Sequence, residues 1–239
     1  MVALDPKVVP QLCDLYGEEF ERAYVEAEEQ RLFASQIRAR DLYARMMRTL
    51  AETGNGWMVF KDSTNLKCNQ TGGSTNVVHL SNLCTEITEV TSSVETAVCN
   101  LGSINLARHV SQGGFDFAKL AHTVRLAVPM LDRVIDINYY PAPQAAAAND
   151  RWRPVGLGVM GLQDVFFQLR LPFDSDEARR LSSKIQEEIY FHALTASCDL
   201  AEKAGPHQAF PETRRLICMN SPERVSRLNM LETCGSMHS

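Results

Sequence analysis

Residues 82, 84 and 86 place an amide, a thiol and a carboxylate two positions apart, as Asn82, Cys84 and Glu86. In an extended segment side chains two apart point the same way, so the three would converge on one small volume. Leu83, Thr85 and Ile87 would then occupy the opposite side. Such a trio can hold a hydroxylated substrate by hydrogen bonds, move a proton through Glu86 and offer sulfur chemistry at Cys84. A second thiol, Cys99, follows fifteen residues later (99 minus 84). The S–H bond is weak enough for sulfur to carry a radical, and two thiols deliver two electrons by closing a disulfide.

Each of these residues also has a plainer reading. A free cysteine is among the most often buried side chains, so either thiol taken alone is a core residue. Cys68, His79, Cys84 and Cys99 contain the ligand types of a zinc site, but none falls in a paired Cys-x-x-Cys or His-x-x-x-His spacing. Cys13, Cys68 and Cys198 read as structural or incidental. His79, three residues before Asn82, reads as a partly buried histidine satisfied by backbone.

The elements that must position the trio follow from periodicity. Residues 1–16 form a short lead-in. Residues 17–53 read as helix broken near 32–35, with one apolar stripe at Phe20, Tyr24 and Ala27 and another at Ile37, Met46, Met47 and Leu50. Glu18 with Arg22 and Asp41 with Arg45 supply i,i+4 pairs, and Gly54 and Gly56 stop the run. The apolar, β-prone residues 57–60 predict a buried strand. A polar loop over 61–76 then delivers an extended approach at 77–80. Residues 89–95 make a Thr/Ser-rich turn, and 97–106 return toward the first strand, a hairpin that would set Cys99 beside Cys84.

Beyond it, Phe117, Leu120, Ala121, Val124, Val128, Leu131 and Ile135 predict a helix over 116–138 that Pro129 should kink. Tyr139 and Tyr140 are assigned to packing. Residues 156–161 spell G-x-G-x-x-G, with Asp174 and Asp176 downstream, as in a dinucleotide-binding turn. A polar stretch, 149–154, stands where that motif needs a buried strand. Asp174-x-x-Glu177 predicts a capping box for a last helix with a stripe at Leu181, Ile185, Ile189, His192, Ala196 and Leu200, ended by Gly205-Pro206. His192 on that stripe reads as a hydrogen-bonded core residue. Residues 214–239 read as an irregular or disordered tail.

The runs Ser81-Asn-Leu-Cys-Thr-Glu-Ile and Glu95-Thr-Ala-Val-Cys-Asn-Leu-Gly-Ser-Ile-Asn-Leu together resemble the large, catalytic subunit of ribonucleotide reductase. The Asn-Leu-Cys-Thr-Glu form is similar to class I, where class II enzymes usually read Asn-Pro-Cys-Gly-Glu. The resemblance implies an α/β fold, part of a ten-stranded α/β barrel, helix-rich, spanning 17–213 with a finger loop at about 77–106. It implies that Cys84 is the transient thiyl that takes the ribose 3'-hydrogen and Glu86 the base for the 3'-hydroxyl. Asn82 and Ser81 would bind substrate, Cys99 would be half of the reducing thiol pair, and Leu101 would line the substrate site. In the same family the 153–161 run is a barrel strand turning into a helix, which makes its glycines packing residues.

The resemblance covers about residues 10–213, a central slice of the family's large subunit. It therefore implies a split or truncated large subunit, completed by other segments that bring the partner cysteine of Cys99, the ATP and deoxynucleotide effector sites, the substrate-phosphate loop, a tyrosine pair and a thiol tail. The substrate would be a ribonucleoside diphosphate. The radical would come from a metal-containing small subunit and the electrons from thioredoxin- or glutaredoxin-type reductants, with no cofactor or metal held by this chain itself. An oligomer is expected. Two other readings stand beside this one: an inactive reductase fragment or interaction module, and a dinucleotide-binding oxidoreductase built on 156–161.

Bulk properties are consistent with an enzyme part. The 239 residues are 45% hydrophobic and 22% charged, as in a soluble globular chain. The net charge of -5 argues against a general nucleic-acid surface. No apolar run approaches bilayer length and no signal segment opens the chain, so a cytoplasmic location without membrane attachment is the expectation. Seven cysteines without scaffold spacing suit a reducing compartment.

Overall fold

The computed structural model describes residues 1–73 and 75–213, which divide into two compact units. The first comprises Met1–Ser92 with the short return at 212–213, and the second Ser93–Pro211.

In the first unit, strand β1 (Val2–Leu4) pairs antiparallel with β2 (Phe33–Gln36), Val2 facing Gln36 and Ala3 facing Ser35. The lead-in therefore contributes a strand, and the predicted break near 32–35 is its partner. Helix α1 (Gly17–Glu29) and helix α2 (Ala39–Thr53) flank β2. Tyr24 of α1 fixes β1, its hydroxyl accepting from Val2 N at 2.7 Å and donating to Val2 O at 3.0 Å. Helix α2 ends at Gly54 in the left-handed conformation, φ 67°, as a glycine stop requires. Its apolar stripe is not buried: Ile37, Met46 and Leu50 are exposed. The expected Asp41–Arg45 pair is replaced by Arg38–Asp41 at 3.8 Å, a contact across three residues.

Two further expectations for this unit fail. Residues 57–60 form no strand, and Trp57 is 64% and Phe60 73% exposed. Their β-prone side chains find no ladder partner among the described residues, and propensity alone cannot hold an isolated strand. The polar stretch after them is helix α3 (Lys61–Lys67) and a 3-10 turn at Asn69–Gly72 rather than loop. Asn65 explains the order there: its Nδ2 donates to Val78 O at 2.9 Å and its Oδ1 accepts from Val78 N at 2.8 Å. One fully buried side chain thus satisfies both backbone groups of Val78, the pairing a neighbouring strand would supply.

The second unit is an α/β layer. Strand β3 (Leu101–Asn105) pairs in parallel with β6 (Gly156–Met160), Leu101 facing Gly156 and Asn105 facing Met160. Between them come the short antiparallel ribbon β4 (Val110–Ser111) and β5 (Gly114–Phe115), helix α4 (Phe117–Ile137) and helix α5 (Pro143–Trp152). Parallel pairing demands such a crossover. Helix α6 (Leu162–Leu169) follows β6, and the long α7 (Asp176–Ala204) lies against α4. Leu120, Val124 and Val128 of α4 meet Ile185, Ile189 and Ala196 of α7 over Ile104 and Leu106, forming the core. Asp116 caps α4 by accepting from Lys119 N at 2.9 Å, and Pro129 lies inside the helix. The cap of α7 is Ser175, whose hydroxyl accepts from Ala178 N at 3.1 Å, one residue past the predicted Asp174. Gly205, φ 84°, closes that helix.

The glycine run 156–161 sits inside and just after β6, so it is no phosphate-cradling turn between strand and helix. A Cβ on Gly156 would stand 2.5 Å from Leu101 Cδ2, and one on Gly158 3.4 Å from Ser103 Oγ. These glycines let β3 and β6 approach each other, while Gly161, φ 76°, makes the turn into α6. The dinucleotide-binding reading is overturned by this placement. Tyr140 is a packing residue, its hydroxyl donating to Ile135 O and accepting from Asn149 Nδ2, whereas Tyr139, expected to pack, is 83% exposed. His192 is hydrogen-bonded as expected, accepting from Arg125 Nε at 3.3 Å and facing Glu188. The described residues form a helix-rich α/β fragment without a closed barrel, and the tail at 214–239 lies outside them. No helix among them is long and apolar enough to cross a membrane.

Candidate active site

Asn82 and Glu86 are brought together by a turn that contains Cys84, and not by an extended strand. Thr85 N donates to Asn82 O at 3.1 Å, and Thr85 adopts φ 70°. That conformation is unfavourable for a β-branched residue and stores strain of roughly 1–3 kcal/mol. The reversal folds Glu86 back onto Asn82. Asn82 Nδ2 donates to Glu86 Oε1 at 2.7 Å, and Asn82 Oδ1 accepts from Ile87 N at 3.0 Å. Cys84 is then an exposed, free thiol at the tip, with Leu83 84% exposed beside it. Ser81 Oγ donates to Asn82 O at 3.2 Å, which makes it a support of the turn.

The base of this loop is tied at several points. Thr91 N donates to Val77 O, and His79 Nδ1 lies 2.9 Å from Thr91 Oγ1. His79 Nε2 lies 2.8 Å from Asp14 Oδ1. Its partners are therefore side chains, where backbone was expected. Lys61 donates to the carbonyls of Cys13 and Leu15, and burial pushes its ammonium below the ordinary lysine range. An open cleft of about 410 Å³ lies against the turn, lined by Trp57, Lys61, His79, Ser81, Asn82 and Leu83 among others. Three residues past Glu86, burial pushes the Glu89 carboxyl up to about 7. Nothing in the spacing of Glu89 announces this; it follows only from the fold.

The zinc alternative is not supported by the donors' geometry. Both ring nitrogens of His79 are engaged as above, and Cys68 Sγ donates to Thr88 O at 3.2 Å. Among the described residues no group of three or more His, Cys, Asp or Glu side chains is placed to hold a metal ion.

Cys99 and Leu101 belong to the second unit. Cys99 is an exposed free thiol just before β3, and Leu101, the first residue of that strand, is half exposed against Gly156. The predicted return strand of a hairpin is instead this parallel strand, because residues 101–105 find their ladder on β6. Asn100 Nδ2 donates to Pro154 O at 3.0 Å, and Gly156 N donates to Asn100 O at 2.9 Å. Upstream, Glu95 is 6% exposed and binds Arg151 Nη1 at 2.9 Å and Trp152 Nε1 at 3.2 Å. Sequence reasoning missed this buried carboxylate, which stands in a Thr/Ser-rich stretch with partners more than fifty residues away.

The first unit thus presents a turn with an exposed thiol, an amide and a carboxylate, and the second unit is an α/β layer with an exposed thiol ahead of its parallel strand pair. Residues 1–227 match the family model described as the ribonucleotide reductase barrel domain, and the chain belongs to that family. The ribonucleoside-diphosphate reductase large subunit of vaccinia virus (strain Copenhagen) is 46% identical over 205 residues, covering 86% of this chain and 26% of that protein. The subunit alpha of Chlamydia muridarum is 46% identical over 211 residues, 86% of this chain and 20% of its own length. The large subunit of Danio rerio is 44% identical over 206 residues, with 86% and 26% covered. This chain thus spans about a fifth to a quarter of the length of the relatives it matches. The family match extends past the 10–213 expected from motifs in both directions.

Proposed function

We propose that this chain carries the radical-thiol part of a class I ribonucleoside-diphosphate reductase large subunit, acting with further large-subunit segments. The reaction replaces the 2'-hydroxyl of the ribose by hydrogen: two thiols are oxidised to a disulfide, and the hydroxyl leaves as water. In this reading Cys84, as a thiyl, removes the 3'-hydrogen and later returns it. Glu86 takes the 3'-hydroxyl proton, and Asn82 and Ser81 bind substrate beside it. Cys99 supplies one of the two reducing thiols, and Leu101 lines the substrate site. The finger loop spans about 77–106 within a barrel portion at 17–213.

The observation that carries the proposal is the Asn82–Glu86 bond across the turn, with Cys84 at its open tip. A base and a radical-bearing sulfur held on one reversal can reach neighbouring atoms of one sugar. Names of the relatives support a diphosphate substrate. The radical would be supplied by a metal-containing small subunit and the electrons by thioredoxin- or glutaredoxin-type reductants, in the cytoplasm. Effector sites for ATP and deoxynucleotides would lie on the completing segments.

The test is co-expression with polypeptides supplying the rest of the large subunit, plus a radical-generating small subunit and a dithiol reductant. Reduction of ribonucleoside diphosphates should require all of them and vanish in Cys84→Ser. Cys99→Ser should permit no complete turnover, because the one remaining thiol cannot close the disulfide. An assembly that folds, binds substrate and shows no reduction would favour the inactive-fragment reading.

A further inference from the structure

The segment that carries Cys99 is pinned on both sides to one stretch of the second unit, from α5 into β6. Before the thiol, Glu95 is buried and accepts from the Arg151 guanidinium and the Trp152 indole, and Thr96 N donates to Gln144 O at 3.1 Å. After it, Asn100 is fixed on Pro154 and Gly156. Residues 97–99 form the free span between these anchors. Arg151 is itself held, because its carbonyl accepts from Ala209 N at 3.1 Å and meets His207 Nδ1 at 3.2 Å. Its guanidinium also stacks over the Trp152 ring at 5.0 Å. A buried carboxylate demands such full pairing, and once paired it defines position sharply.

We infer that Glu95, through Arg151 and Trp152, is a positioning residue that fixes where the Cys99 thiol is presented. The inference rests on the redox role proposed for Cys99 only for its importance, since the clamp itself is independent of that role. A thiol that must meet a second thiol and a sugar gains rate from a fixed approach, and an anchor four residues away leaves the sulfur itself unencumbered. Glu95 touches no reacting atom and acts through the backbone it holds.

The experiment uses the full 239-residue chain, carrying a nitroxide label at Cys99 with its remaining cysteines replaced by serine. A second chain is labelled at Cys84 in the same way. Electron paramagnetic resonance line shapes report the mobility of each label. Glu95→Ala should convert the Cys99 spectrum to fast motion, about a tenfold shorter correlation time, and leave the Cys84 spectrum unchanged. Glu95→Gln keeps one acceptor oxygen, which serves the indole or the guanidinium but sets its NH2 against the other donor, so its Cys99 correlation time should fall between those of the parent and Glu95→Ala. An unchanged Cys99 spectrum in Glu95→Ala overturns the inference. So does Glu95→Gln behaving like Glu95→Ala.

If Glu95→Ala unfolds and both labels become mobile, Arg151→Lys decides. Lysine keeps a charge for Glu95 but loses the planar fork, so only the Cys99 label should loosen, and loosening of both labels overturns the inference. The redox proposal fails separately: Cys99→Ser sustaining multiple turnovers in the completed assembly would refute it while the label data stand.

Discussion

Asn82 Nδ2 and Glu86 Oε1, four positions apart in the chain, lie 2.7 Å from each other because the chain reverses between them. The same amide's oxygen accepts from Ile87 N, so one side chain both orients the carboxylate and closes the turn. Asn82→Leu keeps the volume and removes both bonds. Leaving the Ile87 N–H and Glu86 without their partner should cost about 1–3 kcal/mol locally. Hydrogen exchange at Ile87 should then accelerate at least about tenfold while α4 and α7 stay protected; unchanged protection at Ile87 would mean the turn is held by something else.

Thr85 offers the opposite case, a substitution that should help. Its φ of 70° is easy for glycine and poor for threonine. Thr85→Gly should relieve about 1 kcal/mol of strain, partly offset by glycine's greater freedom in the unfolded chain. A rise in melting temperature for Thr85→Gly, with a fall for Thr85→Val, is the expected pair of results.

Gly156 and Leu101 face each other in the β3–β6 ladder, and a Cβ at 156 would stand 2.5 Å from Leu101 Cδ2. The obstacle is the far end of a flexible side chain, so Gly156→Ala should cost no more than about 1–3 kcal/mol, with Leu101 swinging aside. Gly156→Ala combined with Leu101→Ala should cost less than the two single changes added. Strict additivity in chemical denaturation would place the clash elsewhere.

Glu89 supplies a pH dependence. Burial raises its carboxyl from 4.5 to about 7, so the folded chain holds a proton that the unfolded chain has released. The contribution is fully present below the ordinary carboxylate range and is lost as pH rises through about 7. It amounts to roughly 2–3 kcal/mol across that window. Stability measured by denaturant should therefore fall between pH 5 and about pH 8, and Glu89→Gln should flatten that slope. An identical slope in Glu89→Gln would assign the dependence to other groups.

Much of the second unit was legible in the sequence, because α4 and α7 bury apolar residues at helical spacing, although the cap of α7 is Ser175 and not the expected Asp174. The glycines at 156 and 158 were readable as packing residues once the polar stretch before them excluded a phosphate turn. The first unit was less legible. Residues 57–60 have strand composition but no ladder, and α3 depends on Asn65, whose buried bonds to Val78 link residues thirteen apart. The candidate residues were picked by type and spacing, but the geometry assumed for them was wrong. A period-two face requires extended backbone, and the Asn82–Thr85 reversal breaks it while still joining amide to carboxylate. Glu95 escaped notice because its partners, Arg151 and Trp152, lie more than fifty residues away.

The central claim is that the Cys84 sulfur takes hydrogen from the ribose. The most direct measurement compares substrate carrying deuterium at the 3'-carbon with ordinary substrate in the completed assembly, for the parent chain and for Cys84→Ser. The account predicts slower turnover of the deuterated substrate by the parent and no turnover by Cys84→Ser. Equal rates for both substrates, with reduction retained in Cys84→Ser, would contradict it.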